Sequence, residues 1–82
     1  MKLFIKVFGR YKDITGHEAV QLDITDGITI QDVINKFIRL YPSIQNDKNR
    51  MMVTKNKILC SYTTTITEDD EITISPPVVS GG

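Results

Sequence analysis

One stretch of this chain has an unambiguous helical period. Ile30, Val33, Ile34, Phe37, Ile38 and Tyr41 fall at i, i+3, i+4, i+7, i+8 and i+11. That spacing puts six apolar side chains on one stripe of an α-helix. Thr29 stands where an N-cap belongs, and Asp32 holds the capping-box position with Asp in place of the usual Glu. Pro42 follows Tyr41 and should stop the helix, because proline lacks the N–H that the next turn needs. A single amphipathic helix cannot cover its own apolar face, so the rest of the chain must supply the cover. The stripe therefore reads as core rather than as a cofactor-binding box.

The flanking segments read as strands. Leu3, Ile5 and Val7 alternate with Lys2, Phe4, Lys6 and Phe8, a period of two. The aliphatic face suits a core. The other face carries two phenylalanines, which read either as a partner-binding patch or as residues covered by the loop that follows. Gly9 ends this strand. Arg10 to Thr15 makes one helical turn with Tyr11 and Ile14 three apart, and Gly16 closes it. Val20, Leu22 and Ile24 form a second strand, antiparallel to the first, and Asp26-Gly27 marks a turn. Beyond the helix, Ser43 to Arg50 is polar and irregular. Met51 to Thr54 and Ile58 to Tyr62 read as strands joined by the turn Lys55-Asn56-Lys57. Thr63 to Thr65 is either extended or loop, and Glu68-Asp69-Asp70 is an acidic turn. Ile72 and Ile74 lie in a last strand that Pro76-Pro77 ends, since proline cannot donate to a sheet ladder.

The expected order is β-β-α-β-β-β. The long helical excursion lets the first and last strands pair in parallel at the sheet centre. The fold class is thus α+β: a β-grasp, or ubiquitin-like, fold in which a mixed sheet of about five strands packs on one main helix. With 82 residues the chain holds one domain. It divides into a β-grasp domain over 1–77 and a C-terminal tail over 78–82.

Composition removes several classes of function. Ten basic residues balance ten acidic ones. This argues against a nucleic-acid binder, which shows a basic excess, and against a polybasic membrane anchor. No apolar run approaches a membrane span, and the N-terminus lacks the long apolar stretch of a signal peptide. One cysteine, Cys60, excludes an internal disulfide, and the cytoplasm is the expected compartment. Cys60 reads as a small core residue and His17 as a solvated one. One Cys and one His make no four-ligand metal site, so no metal is expected. No triad, phosphate loop or paired acid–base site is visible. By itself the chain reads as a non-catalyst with no bound cofactor.

The tail carries the reactive group. Val78, Val79, Ser80, Gly81 and Gly82 follow the two prolines. Six residues from Pro77 onward span at most about 20 Å. Glycines without Cβ make a thin end that fits a narrow active site on another protein, with the terminal carboxylate as the reacting group. The alternative is a frayed terminus.

At this point the chain resembles the ThiS/MoaD-type ubiquitin-like sulfur carriers, and among them the small subunit of molybdopterin synthase. The resemblance runs over the opening strand to Phe8, the Arg10 to Gly16 segment, the helix closed by Pro42, and the Asn56 turn. Its most specific stretch is Thr67-Glu68-Asp69-Asp70-Glu71-Ile72, then Pro76-Pro77-Val78, then Gly81-Gly82. The family usually places one residue between "PPV" and "GG". Here Val79 and Ser80 both stand there, lengthening the tail by about 3.5 Å.

The resemblance implies that Gly82 is adenylated by a ubiquitin-activating-like enzyme that uses ATP and is then converted to a thiocarboxylate. The carrier would insert Val78, Val79, Ser80 and Gly81 into the large subunit of molybdopterin synthase. There it would give sulfur to the cyclic pterin precursor of molybdopterin. Phe4, Phe8, Ile74, Pro76 and Pro77 are the expected partner interface. The alternatives are a carrier for thiazole synthesis or tRNA thiolation, a ubiquitin-like modifier joined to lysines through Gly82, and a β-grasp interaction module with an inert tail.

Overall fold

A computed structural model of the protein describes residues 2–25 and 27–77; Met1, Asp26 and residues 78–82 lie outside the description. The elements in chain order are β1 (Lys2–Val7), α1 (Arg10–Thr15), β2 (Ala19–Asp23), α2 (Ile30–Leu40), a 3-10 helix (Pro42–Asp47), β3 (Met52–Lys55), β4 (Ile58–Leu59) and β5 (Ile72–Ser75). The five strands form one sheet in the order β2-β1-β5-β3-β4. β1 pairs antiparallel with β2 and parallel with β5, so the parallel pair lies inside the sheet as the topology requires. This is the expected β-grasp arrangement, with α2 lying across one face.

The alternation in the strands decides which face meets the helix. Leu3, Ile5 and Val7 of β1, Val20 and Leu22 of β2, Val53 of β3, and Ile72 and Ile74 of β5 are buried. From α2, the buried residues are Ile30, Val33, Ile34 and Phe37. Ile38 and Tyr41, at the end of the stripe, are only partly buried and pack on the edge of this core.

The start of α2 forms as its residues dictate. The Asp32 N–H donates to Thr29 Oγ1 at 3.3 Å, and the Thr29 N–H donates to Asp32 Oδ2 at 3.1 Å. This is the capping box with a shorter acid. The N–H groups of Ile30 and Gln31, orphans at any helix start, donate to the carbonyls of Thr64 and Tyr62. Tyr62 and the threonine run thus finish the helix N-terminus from outside, with a β-bridge between Thr29 and Thr65 beside these bonds.

Two segments differ from the sequence reading. Ser43 to Arg50 is not irregular throughout, because Pro42 starts a 3-10 turn that buries Ile44 and Asp47. β4 is two residues long rather than five; past Leu59 the Cys60 N–H still donates to the Val53 carbonyl of β3 at 3.0 Å, and the strand ends there. Cys60 is half-buried against the core, with its thiol pushed above its ordinary pKa mainly by burial.

The β3–β4 turn shows a local cost. Asn56 and Lys57 both have positive φ, 54° and 71°. A two-residue hairpin with that pair of angles favours Asn-Gly. Lys57→Gly is therefore expected to raise stability by about 1 kcal/mol, the order of the penalty for a left-handed L-residue. A urea melt checks this.

Candidate functional site

β5 delivers the chain to the tail. Pro76 and Pro77, which follow β5, are half-buried, while the expected reacting residue Gly82 and the expected inserted tail of Val78, Val79, Ser80 and Gly81 lie outside the described residues. What the structure shows is the platform from which they leave.

That platform is the open face of the sheet. Phe4 is 63 % exposed and Phe8 43 %. Of the two readings of these rings, cover by the loop that follows is the one the exposure does not support. Met52 and Leu59, at 42 % and 63 %, add two more apolar side chains. Register explains the grouping. Thr73 pairs with Lys6 on one side and with Thr54 on the other, and Thr54 pairs with Leu59, so these side chains share one face. Met52 pairs with Ser75 and lies on the same face, at the sheet end from which Pro76 departs. Lys12 Nζ lies 5.9 Å from the centre of the Phe8 ring, a cation–π distance.

Ile74 does not belong to this surface, and that expectation is corrected. It pairs with Val7 and is fully buried. Paired residues in a sheet point to the same side, and Val7 points into the core. Odd positions of β1 and even positions of β5 share the inner face, which sends Thr73 and Ser75 outward instead.

Gly9 sets the root of the tail. It has φ 59° and ψ −140°, a region that L-residues rarely enter. A Cβ there would meet Pro76 Cγ at 3.1 Å. Glycine thus serves both the sharp turn from β1 into α1 and the close approach of the departing chain. The Phe8 N–H donates to the Ile74 carbonyl at 3.3 Å and ties the same corner.

α1 is held in turn by a polar cluster. Tyr11 is fully buried, and its hydroxyl donates to Asp47 Oδ2 at 2.7 Å. Arg10 donates to the same oxygen, and Arg50 lies 3.5 Å from Oδ1. Asp47 is itself buried, so these donors offset the cost of taking its charge out of water. Burial first, then the hydrogen bond to Asp47 and its charge, raise the Tyr11 pKa well above its ordinary value near 10. The neutral phenol is the form the fold favours. Its contribution is complete below the unfolded pKa and is lost as pH rises above it. Stability measured by urea from about pH 8 to about pH 11 should therefore fall, and Tyr11→Phe should flatten that fall.

The other candidates are quieter. His17 is exposed. In the acidic turn Glu68 and Asp69 are exposed, but Asp70 is engaged: it accepts from the Thr67 N–H at 2.8 Å and from Asn56 Nδ2 at 3.0 Å. The Thr67 bond is the main cause of its lowered pKa. Among the described residues, no group of three His, Cys, Asp or Glu could hold a metal ion, and no helix is long and apolar enough to cross a membrane.

Reading the sequence missed Met52, Leu59 and Asp47. The first two join Phe4 and Phe8 only through strand pairing, Leu59 through Thr54 and Met52 through Ser75. Asp47 gave no signal, because its partners lie 36 and 37 residues away.

The geometry agrees with known proteins. Molybdopterin synthase sulfur carrier subunit of Arabidopsis thaliana is 23 % identical over 82 residues, all of this chain and 84 % of that protein. SAMP1 of Haloferax volcanii, a small archaeal modifier protein, superposes with a TM-score of 0.80 at 21 % identity, covering 100 % of both chains. In the complex of subunits 1 and 2 of molybdopterin-converting factor from Helicobacter pylori, one chain superposes with a TM-score of 0.64 at 18 % identity, over 99 % of this chain and 100 % of that one. These structures share the ubiquitin-like fold. The model of the ThiS family matches residues 5–82, from β1 through the final Gly-Gly, and the chain belongs to that family.

Proposed function

We propose that the protein is the sulfur-carrier subunit of a molybdopterin synthase, with Gly82 as its reacting residue. The observation that carries this reading is the family match that reaches Gly82. The open sheet face beside the tail root and the similarity to a sulfur carrier subunit support it.

The chemistry follows from the weakness of a carboxylate as an electrophile. An oxygen of the Gly82 carboxylate attacks the α-phosphorus of ATP on an activating enzyme, and pyrophosphate leaves. Hydrosulfide then attacks the acyl carbon, AMP leaves with the C–O bonding pair, and a thiocarboxylate remains. The thiocarboxylate sulfur then bonds to the cyclic pterin precursor on the large subunit, and water cleaves the acyl carbon–sulfur bond, which returns the carrier as a carboxylate. Adenylation and transfer belong to the partners. This chain supplies the tail and the docking platform of Phe4, Phe8, Pro76 and Pro77, to which Met52 and Leu59 are added. In this reading the chain holds no cofactor, contacts neither nucleic acid nor membrane, and works in the cytoplasm. The two-subunit complex of the Helicobacter pylori protein supports a large-subunit partner of this kind.

The test is the intact mass of the protein after incubation with ATP, the activating enzyme of its host and sulfide. A gain equal to sulfur in place of one oxygen supports the carrier. Its absence, with no acyl-adenylate trapped, favours an inert interaction module. The likeness to a small archaeal modifier protein favours one second reading, in which a lysine amine attacks the same adenylate. Gly-Gly remnants on lysines of other host proteins would establish it.

A further inference from the structure

The other edge of the molecule carries a second surface, independent of the tail and of the carrier reading. β2 is an edge strand. In an antiparallel pair, residues alternate between those bonded to the neighbour and those facing away. The Val7 N–H donates to the Glu18 carbonyl at 3.0 Å. With Ile5 opposite Val20 and Leu3 opposite Leu22, the bonded residues of β2 are Val20 and Leu22. The N–H and C=O groups of Gln21 and Asp23 therefore point outward. The opposite edge, β4, is only two residues long and offers far less ladder.

Beside this edge runs a groove of about 310 Å³ lined by Gln21, Leu22, Asp23, Lys36, Arg39 and Leu40. Leu22 forms the apolar floor at 4 % exposure, and Leu40 stands 56 % exposed as its wall. Lys36 and Arg39 of α2 are in no ion pair among the described residues, whereas Asp23 is matched by Lys2 at 3.1 Å. The groove thus combines a free hydrogen-bonding edge, an apolar strip and two unmatched cations.

We infer that the groove between β2 and α2 docks an extended peptide segment of a partner protein, with alternating aliphatic residues flanked by acids, added to the sheet as a strand beside β2. The edge supplies main-chain hydrogen bonds, and alternate side chains of the added strand face Leu22 and Leu40. Acidic flanks of the segment meet Lys36 and Arg39. A second copy of this chain is a poorer occupant. Pairing two β2 edges about a two-fold axis would bring Lys36 and Arg39 of both copies to the same seam, setting like charges together.

The test uses the 15N-labelled full chain and the synthetic peptide acetyl-Asp-Ser-Val-Thr-Ile-Thr-Val-Asp-Glu-amide. Saturable amide shifts are expected at Gln21, Asp23, Lys36 and Arg39, with slowed hydrogen exchange at the Gln21 and Asp23 amides. The surface variant Lys36→Glu with Arg39→Glu should bind about tenfold more weakly, as should a peptide with lysines in place of its acids. Methylating the peptide nitrogens that face β2 should abolish binding. The inference is overturned by any of the following results. No saturable shift appears, or the shifts map to Phe4 and Leu59 instead, or sedimentation shows a dimer that protects Gln21 and Asp23 without peptide. Indifference to charge reversal at Lys36 and Arg39 would also overturn it.

Discussion

Phe37→Ala is expected to lower the stability of the fold by about 3–5 kcal/mol, the range for removing a buried phenylalanine. A domain of this length has about 4–12 kcal/mol in all, so the variant should be partly unfolded at moderate temperature. Phe37 is fully buried on α2 and meets two other rings edge-on, Tyr11 at 5.9 Å and Tyr41 at 5.5 Å between centres. Alanine removes the packing against the sheet and both ring contacts together. Tyr11 is the residue whose hydroxyl reaches Asp47, so a loosened Tyr11 also loosens α1 and the corner at Gly9. Urea unfolding would show a large drop in midpoint. Phe37→Leu, which keeps most of the fill, should cost less than half as much. Equal losses for the two variants would mean that ring geometry, not volume, holds this site.

The contrast between Phe37 and Asp47 shows what could be read from sequence alone. Phe37 sits on a stripe of fixed period, and period is a local property. Its burial and the capping box at Thr29 and Asp32 were legible for that reason, whereas the parallel pairing of β1 with β5 followed from the long helical connection between them. The outward display of Phe4 was legible too, because alternation within one strand assigns its face. Ile74 was misplaced against that same signal: it alternates with Thr73 and Ser75 and shares the side of Ile72, which is the buried one. Asp47 was invisible for a different cause, because what holds it is distant in sequence. A lone acid in a polar stretch reads as solvated until the fold brings Arg10 and Tyr11 to it. Of the candidate site, residue types and order were therefore readable, while the composition of the open face was not. Met52 and Leu59 join Phe4 and Phe8 only after three strand pairings are known.

Deleting Gly82 is expected to abolish the mass gain of the carrier assay while leaving the urea midpoint unchanged. Stability should not move, because the buried apolar core runs from Leu3 to Ile74 and Pro76 is the residue that packs on Gly9. Activation should fail because the carboxylate then sits one residue, about 3.5 Å, short of the position a partner site holds for it. Misplacement by even about 1 Å can cost a hundredfold in rate, so a shift of this size should exceed that. Deleting Ser80 instead separates two causes. It shortens the tail by the same length and restores the family's usual spacing between Val78 and the glycines, but keeps Gly81-Gly82. If reach from the platform governs activation, both deletions fail alike, and the partners are matched to the longer tail. If the slender Gly-Gly end governs it, only the loss of Gly82 is silent in the assay. Normal activation after deletion of Gly82 would remove Gly82 from the chemistry and with it the carrier reading of this chain.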